Sequence, residues 1–138
     1  MKLAVLVAVS AAAALSVAIL PNGPTRAAST SVSFSAAQAA AGAKAYTQSC
    51  ASCHGVKLSG VSAPALAGST SGIAQQSVVE VYEYVSQQMP MTAPGSLSKA
   101  QYLSIVAYIL QKNGHTAGTR RLTEAAATTA TASVATKP

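Results

Sequence analysis

The sequence predicts a small all-α domain in the middle of a chain of 138 residues. Two observations carry this prediction. Three segments begin with a Ser-x-x-Glu/Gln capping box, which is typical of a helix start, and apolar residues follow at helical spacing. All six aromatic residues lie between Phe34 and Tyr108, which places the folded core in that interval. A chain of this length forms one domain at most.

Each capping box marks the start of one predicted helix. The boxes begin at Ser35, Ser77 and Ser98, and the predicted helices cover about 36–51, 78–88 and 99–112. Pro90 ends the second helix, because the residue before a proline avoids helical geometry. Asn113 and Gly114 supply a stop signal for the third helix. Between the first and second helices lies a long segment without helical or strand periodicity.

The most informative motif is Cys50-Ala51-Ser52-Cys53-His54. Two thiols three positions apart lie on one face of a helix, and C-x-x-C-H is the spacing of covalent c-type haem attachment. The imidazole next to the second thiol can then bind the haem iron axially. We predict one covalent haem c, attached through Cys50 and Cys53, with His54 as an iron ligand.

Three other chemistries use paired cysteines. A structural zinc site needs four Cys or His ligands, and the only other histidine is His115, far downstream. A thioredoxin-like dithiol needs a strand–helix–strand setting, which the flanking sequence does not indicate. A disulfide between Cys50 and Cys53 would close too small a loop to stabilise the fold much. Haem attachment is therefore the preferred interpretation.

Met89-Pro90-Met91 is the candidate source of a second axial ligand. A thioether is a known axial ligand of haem iron, although a methionine taken alone is more often core filler. We favour Met89 over Met91, because Pro90 places Met89 at the exit of the second helix. His115 is the rival ligand, and we interpret it as a solvated loop residue. A haem between His54 and Met89 would also explain the long connecting loop.

The N-terminal residues 1–28 read as an export signal or a membrane anchor. Lys2 precedes an uncharged run from Leu3 to Leu20, and small residues follow. The run is also just long enough to span a bilayer. Either reading places the domain outside the cytoplasm, in the periplasm of a bacterium, which agrees with covalent haem attachment.

Charge and composition restrict the partners. The chain has a formal net charge of +6, but no dense basic cluster with interleaved aromatic residues, so nucleic acid is not an expected partner. Scattered lysines suit a surface that meets an acidic protein transiently. Residues 119–138 are rich in Ala and Thr, and we predict a disordered tail there.

The chain resembles a known family, the small class I cytochromes c of bacteria. The matching stretches are Gly42 and Tyr46 ahead of Cys50–Gly55, then Pro64–Leu66, Met89–Pro90 with Ala93–Ser98, and Ile105–Leu110 followed by Asn113–Gly114. The resemblance implies a cytochrome c domain over residues 33–118. It implies three to four short helices and a long loop wrapped around one covalently bound haem, with the first and last helices crossing near Gly42.

The resemblance also implies the function. His54 and Met89 would be the axial ligands of an electron carrier that performs no substrate chemistry. Its expected donor is a periplasmic dehydrogenase or a quinol-oxidising complex, and its expected acceptor is a terminal oxidase. Two alternatives stay open: a haem c subunit held permanently in a dehydrogenase or oxidase complex, and a haem enzyme or sensor with an open axial position.

Overall fold

The computed structural model describes residues 32–136, so the predicted signal peptide or anchor over residues 1–28 lies outside the described residues. The helices of the described part are α1 (Ala36–Ser49), α2 (Ala51–His54), α3 (Val78–Gln88), α4 (Lys99–Lys112) and α5 (Glu124–Ala127). Strand-like pairing within residues 32–136 is limited to two isolated bridges, Ser35 with Gly118 and Ser77 with Ser133. The predicted all-α fold is confirmed. No helix in this part of the chain is long and apolar enough to cross a membrane.

The capping boxes of α3 and α4 form as predicted. The Glu80 carboxylate accepts the Ser77 N–H at 2.7 Å, and Ser77 Oγ accepts the Glu80 N–H at 3.4 Å. Ser98 and Gln101 make the same reciprocal pair at the start of α4. α3 ends where Met89 turns to extended backbone, with φ −119° and ψ 153°, ahead of a proline. Local sequence therefore sets both ends of α3.

Helices α1 and α4 cross in backbone contact at Gly42. A Cβ atom at this position would overlap the carbonyl oxygen of Ser104 and would lie 3.0 Å from the Ile105 nitrogen, so the close approach requires glycine. Beside the crossing, the rings of Tyr46 and Tyr108 pack with their centroids 5.5 Å apart. The crossing predicted near Gly42 is confirmed, and it forms the centre of the core.

The segment over residues 55–77 is a compact loop that folds back on α2. Leu58 is fully buried, and its carbonyl accepts the N–H groups of Leu66 and Ala67 at 2.8 and 3.2 Å. The Cys53 carbonyl accepts the N–H groups of residues 61, 62 and 63, each at 3.1 Å. The loop is thereby fastened to the C-x-x-C-H turn.

The C-terminal segment, residues 119–136, is ordered, so the prediction of a disordered tail was wrong. It carries the short helix α5, and its backbone pairs with the first residue of α3 and with the turn before that helix. Val78 N–H donates to Ala132 O at 2.9 Å, and Val134 N–H donates to Gln76 O at 2.8 Å. Four of its side chains are buried, namely Leu122, Ala127, Ala130 and Val134. The folded domain therefore extends well past residue 118.

Gln38 fastens this C-terminal segment to α1. Ser35 Oγ accepts the Gln38 N–H at 3.2 Å, but the Gln38 side chain does not complete a capping box. Its amide is buried, and it bonds both backbone groups of Leu122: Nε2 donates to the carbonyl at 2.9 Å, and Oε1 accepts the N–H at 2.7 Å. This contact joins residues 84 positions apart, and local composition does not reveal it. The C-terminal segment was therefore wrongly predicted to be disordered.

Candidate haem site

One cleft of about 430 Å³ brings together the four residues that the sequence analysis assigned to haem binding. Cys50, Cys53, His54 and Met89 all line it. Its walls come from the junction of α1 and α2, the loop over residues 55–77, the end of α3, and the face of α4. Residues that lie far apart in the sequence therefore converge on one site.

Cys50 lies between α1 and α2, at the N-cap of α2, and Cys53 lies within α2. The His54 N–H donates to Cys50 O at 3.0 Å, and the Cys53 N–H donates to the same carbonyl at 3.2 Å. Both thiols are free. Burial, and secondly the neighbouring Cys53, raises the pKa of Cys50 to about 11. A reactive dithiol centre instead needs a lowered cysteine pKa, and the shift at Cys50 is in the opposite direction.

His54 is oriented through one of its two ring nitrogens. Nδ1 lies 2.8 Å from Pro64 O. A carbonyl only accepts hydrogen bonds, so Nδ1 carries the hydrogen and Nε2 keeps its lone pair for a metal. The turn that follows is held by Tyr46, whose hydroxyl donates to Gly55 O at 2.7 Å. Burial raises the pKa of Tyr46 to about 12, with smaller contributions from Cys50 and Tyr108, which keeps this hydroxyl protonated.

The two candidate methionines differ in burial. Met89 is half-buried, whereas Met91 is 79% exposed, although both line the cleft. The structure thus places Met89 deeper in the same cleft as His54. His115, the rival, does not line the cleft, and its Nε2 lies 3.1 Å from Ser133 O in the C-terminal segment.

Sequence reasoning missed the contribution of Tyr102 to this site. Its hydroxyl donates to Met89 O at 2.6 Å. Leu97 and Tyr102 flank the cap of α4, where apolar side chains often pack across a helix start, but nothing local indicates the partner of the hydroxyl. Ile73 and Gln76 also line the cleft, and they were missed because their segment has no periodicity.

The cleft fits a haem c in its chemistry and its size. Two free thiols, an imidazole and a thioether are the groups that attach and ligate such a cofactor. Most of the remaining lining is apolar and includes Leu66, Ile73, Val81, Val85, Ile105 and Ile109, and among the described residues that line the cleft none is Lys, Arg, Asp or Glu. A volume of about 430 Å³ falls within the range of cofactor sites.

Comparisons with known proteins agree with this chemistry. Residues 37–109 match the family described as cytochrome c oxidase, cbb3-type, subunit III. Among solved structures, the crystal structure of the sulfane dehydrogenase SoxCD from Paracoccus pantotrophus is similar, with a TM-score of 0.52 and 32% sequence identity. That likeness covers 55% of this chain and 43% of the other, so the chain spans less than half of the SoxCD chain. No curated protein matches the chain.

The family match covers just over half of the chain, and it includes the C-x-x-C-H motif, Met89 and most of α4. Membership implies haem c as the cofactor and electron transfer as its role. The chain therefore belongs to the family described as cytochrome c oxidase, cbb3-type, subunit III, and its domain is a class I c-type cytochrome.

Proposed function

We propose that this protein is an exported one-electron carrier with a single haem c. Cys50 and Cys53 would attach the cofactor, and His54 and Met89 would ligate its iron. The observation that carries the proposal is the convergence of these four side chains on one largely apolar cleft. When bound, the haem supplies the one-electron couple. If both His54 and Met89 ligate the iron, the protein leaves no open position there for a substrate, which favours a carrier over an enzyme.

The protein residues tune and hold the site. Pro64 O fixes the orientation of His54 through Nδ1. A thioether ligand such as Met89 raises the reduction potential. None of the described lining residues is Lys, Arg, Asp or Glu. Burial in such a weakly polar environment acts in the same direction, because it disfavours the ferric haem, which carries one more positive charge than the ferrous haem. We expect a comparatively high potential for a c-type haem.

An apolar rim marks the face at which electrons would be exchanged. We define it by Val61, Tyr84 and Met91, three of the exposed large hydrophobic side chains among the described residues. Tyr84 and Met91 line the cleft, and the Val61 N–H donates to Cys53 O at 3.1 Å, beside the attachment turn. Exposed apolar clusters are typical of interaction sites. The rim would let a partner approach the cofactor without a large desolvation penalty.

The proposed partners are a periplasmic dehydrogenase or a quinol-oxidising complex as donor and a terminal oxidase as acceptor. Two comparisons support this choice: SoxCD is a sulfane dehydrogenase, and the family description names an oxidase. The proposed periplasmic location rests on the export signal or anchor predicted over residues 1–28; an uncleaved anchor would tether the domain to the membrane.

A second candidate function is a haem subunit held permanently in a dehydrogenase or oxidase complex. The likeness to part of a SoxCD chain favours it. Size-exclusion chromatography of the protein from its native membrane and periplasmic fractions distinguishes the two. A free carrier elutes as one small haem protein, whereas a permanent subunit elutes with larger polypeptides in fixed ratio.

Paired methionine variants test the proposed ligation. The ferric wild-type protein is expected to show the weak long-wavelength band of methionine-ligated c-type haem. Met89→Ala is expected to lose this band and to bind carbon monoxide in the ferrous state, because one axial position opens. Met91→Ala, the matched control from the exposed side of the cleft, is expected to keep the band. Retention of the band in Met89→Ala would reject Met89 as the ligand.

A further inference from the structure

The loop that carries both methionines is closed by a single side-chain oxygen. We call residues 89–97 the Met89 loop. Tyr102 donates its hydroxyl hydrogen to Met89 O at 2.6 Å, and the same oxygen accepts the Leu97 N–H at 3.2 Å. One hydroxyl therefore bonds the first and the last residue of the loop. Tyr102 is only 3% exposed, so water competes poorly for these two bonds.

Little else fixes this loop. No residue of the Met89 loop is fully buried, and residues 91–96 are all exposed. Its internal backbone bonds are short-range: Ala93 N–H donates to Pro90 O at 2.8 Å, and Gly95 N–H donates to Met89 O at 3.3 Å. Segments with few buried contacts open at low free energy. Two other contacts tie the ends of the loop: the Leu97 side chain packs against the core, and the Met89 N–H donates to Val85 O at 3.2 Å. The hydroxyl of Tyr102, which belongs to the buried face of α4, is the side-chain group that bonds both ends at once.

We propose that Tyr102 is a positioning residue for Met89. Its hydroxyl holds the Met89 backbone at the cleft and so holds the thioether where the second axial ligand is needed. It also favours Met89 over Met91, because the bonded carbonyl belongs to residue 89 while Met91 lies in the exposed part of the loop. This inference rests on the proposed ligation of the haem by Met89.

Removing the hydroxyl should shift the loop toward an open state. In Tyr102→Phe the Leu97 N–H loses its acceptor and Met89 O keeps only the bond from Gly95. Loss of these part-buried hydrogen bonds destabilises the closed arrangement. An external ligand that competes with Met89 binds only the open state, so its apparent affinity rises with the open fraction. The ring of phenylalanine keeps the packing of the core.

The experiment is a titration of the ferric holoprotein with imidazole, in which the loss of the methionine–iron band measures binding. Tyr102→Phe is expected to bind imidazole about tenfold more tightly than wild type. Tyr82→Phe is the control, since Tyr82 is also buried but does not line the cleft, and its hydroxyl has no hydrogen-bond partner within residues 32–136. The control should stay within about twofold of wild type.

Denaturant midpoints of both variants separate positioning from general stability. A purely structural role predicts that imidazole affinity follows the loss of global stability equally in both variants. Positioning predicts a change in Tyr102→Phe that exceeds the change in a control of similar stability. Wild-type affinity for imidazole in Tyr102→Phe would overturn the proposal.

Two further outcomes are decisive. If the ferric wild-type protein lacks the methionine–iron band, both the ligation by Met89 and the positioning role of Tyr102 are rejected. If the wild-type band is normal and Tyr102→Phe binds imidazole like wild type, only the role of Tyr102 is rejected. If Tyr102→Phe does not fold, hydrogen exchange at the Leu97 amide of the wild type decides. The amide is expected to exchange at least about tenfold more slowly than an unprotected amide, and unprotected exchange would overturn the proposal.

Discussion

Gly42→Ala should be strongly destabilising, because it places a methyl group inside the crossing of α1 and α4. The new Cβ would overlap Ser104 O and would lie 3.0 Å from Ile105 N. Overpacking a core costs up to about 3 kcal/mol, and the upper value applies since backbone atoms cannot rotate away. Alanine returns about 1 kcal/mol through its helix propensity. The net loss is about 2 kcal/mol, which lowers the Tm by about 10 °C for a domain of this size.

Thermal unfolding of the holoproteins by circular dichroism measures this effect. Gly72→Ala is the matched control, because a Cβ there meets no atom within 4 Å and the change should stay within about 0.5 kcal/mol. The reasoning about the crossing is refuted if Gly42→Ala melts within about 2 °C of wild type. A comparable fall in the control would show that loss of any glycine, and not the backbone contact, is responsible.

Two further substitutions test other parts of the fold. Leu122→Ala should lower the free energy of unfolding by about 3 kcal/mol, because this side chain is only 2% exposed. The control Val56→Ala removes an exposed side chain and should change the free energy of unfolding by less than about 0.5 kcal/mol. Equal effects would contradict the packing of the C-terminal segment. Hydrogen bonds from the Ser77 side chain and backbone lower the pKa of Glu80. The Glu80 carboxylate therefore stabilises the fold fully above the unfolded-state pKa of about 4.3, and this stabilisation is lost as the pH falls through the lower folded-state pKa. In Glu80→Gln the glutamine can still accept the capping hydrogen bond, as Gln101 does at the start of α4, but it does not titrate. The free energy of unfolding of this variant should therefore depend less on pH in the acid range, as measured by denaturation curves at several pH values. The same pH dependence as wild type would contradict this prediction.

The features that sequence alone predicted are those that a few neighbouring residues determine. The starts of α3 and α4 follow from Ser77 and Ser98, whose boxes form as expected. The C-x-x-C-H spacing indicated haem attachment because the chemistry needs those residue types at that spacing. Most of the motif forms a separate short helix, α2, which was not predicted, since the first predicted helix ended at about residue 51.

The features that sequence did not predict depend on contacts between distant residues. Gln38 was interpreted as half of a capping box, yet its amide holds the backbone of Leu122. The C-terminal segment was interpreted as disordered because its alanines and threonines have little apolar bulk, but the surface that they cover exists only after the fold forms. The partner of the Tyr102 hydroxyl likewise lies on the other side of a loop. Such contacts leave no local pattern.

The central claim is that Cys50 and Cys53 carry a covalently attached haem. The most direct measurement is the intact mass of the protein after expression in a bacterium with a cytochrome c maturation system, together with a thiol titration under denaturing conditions. The account predicts a polypeptide heavier by one haem, with a haem spectrum that survives denaturation and no free thiol. A polypeptide of unmodified mass with two titratable thiols would contradict it.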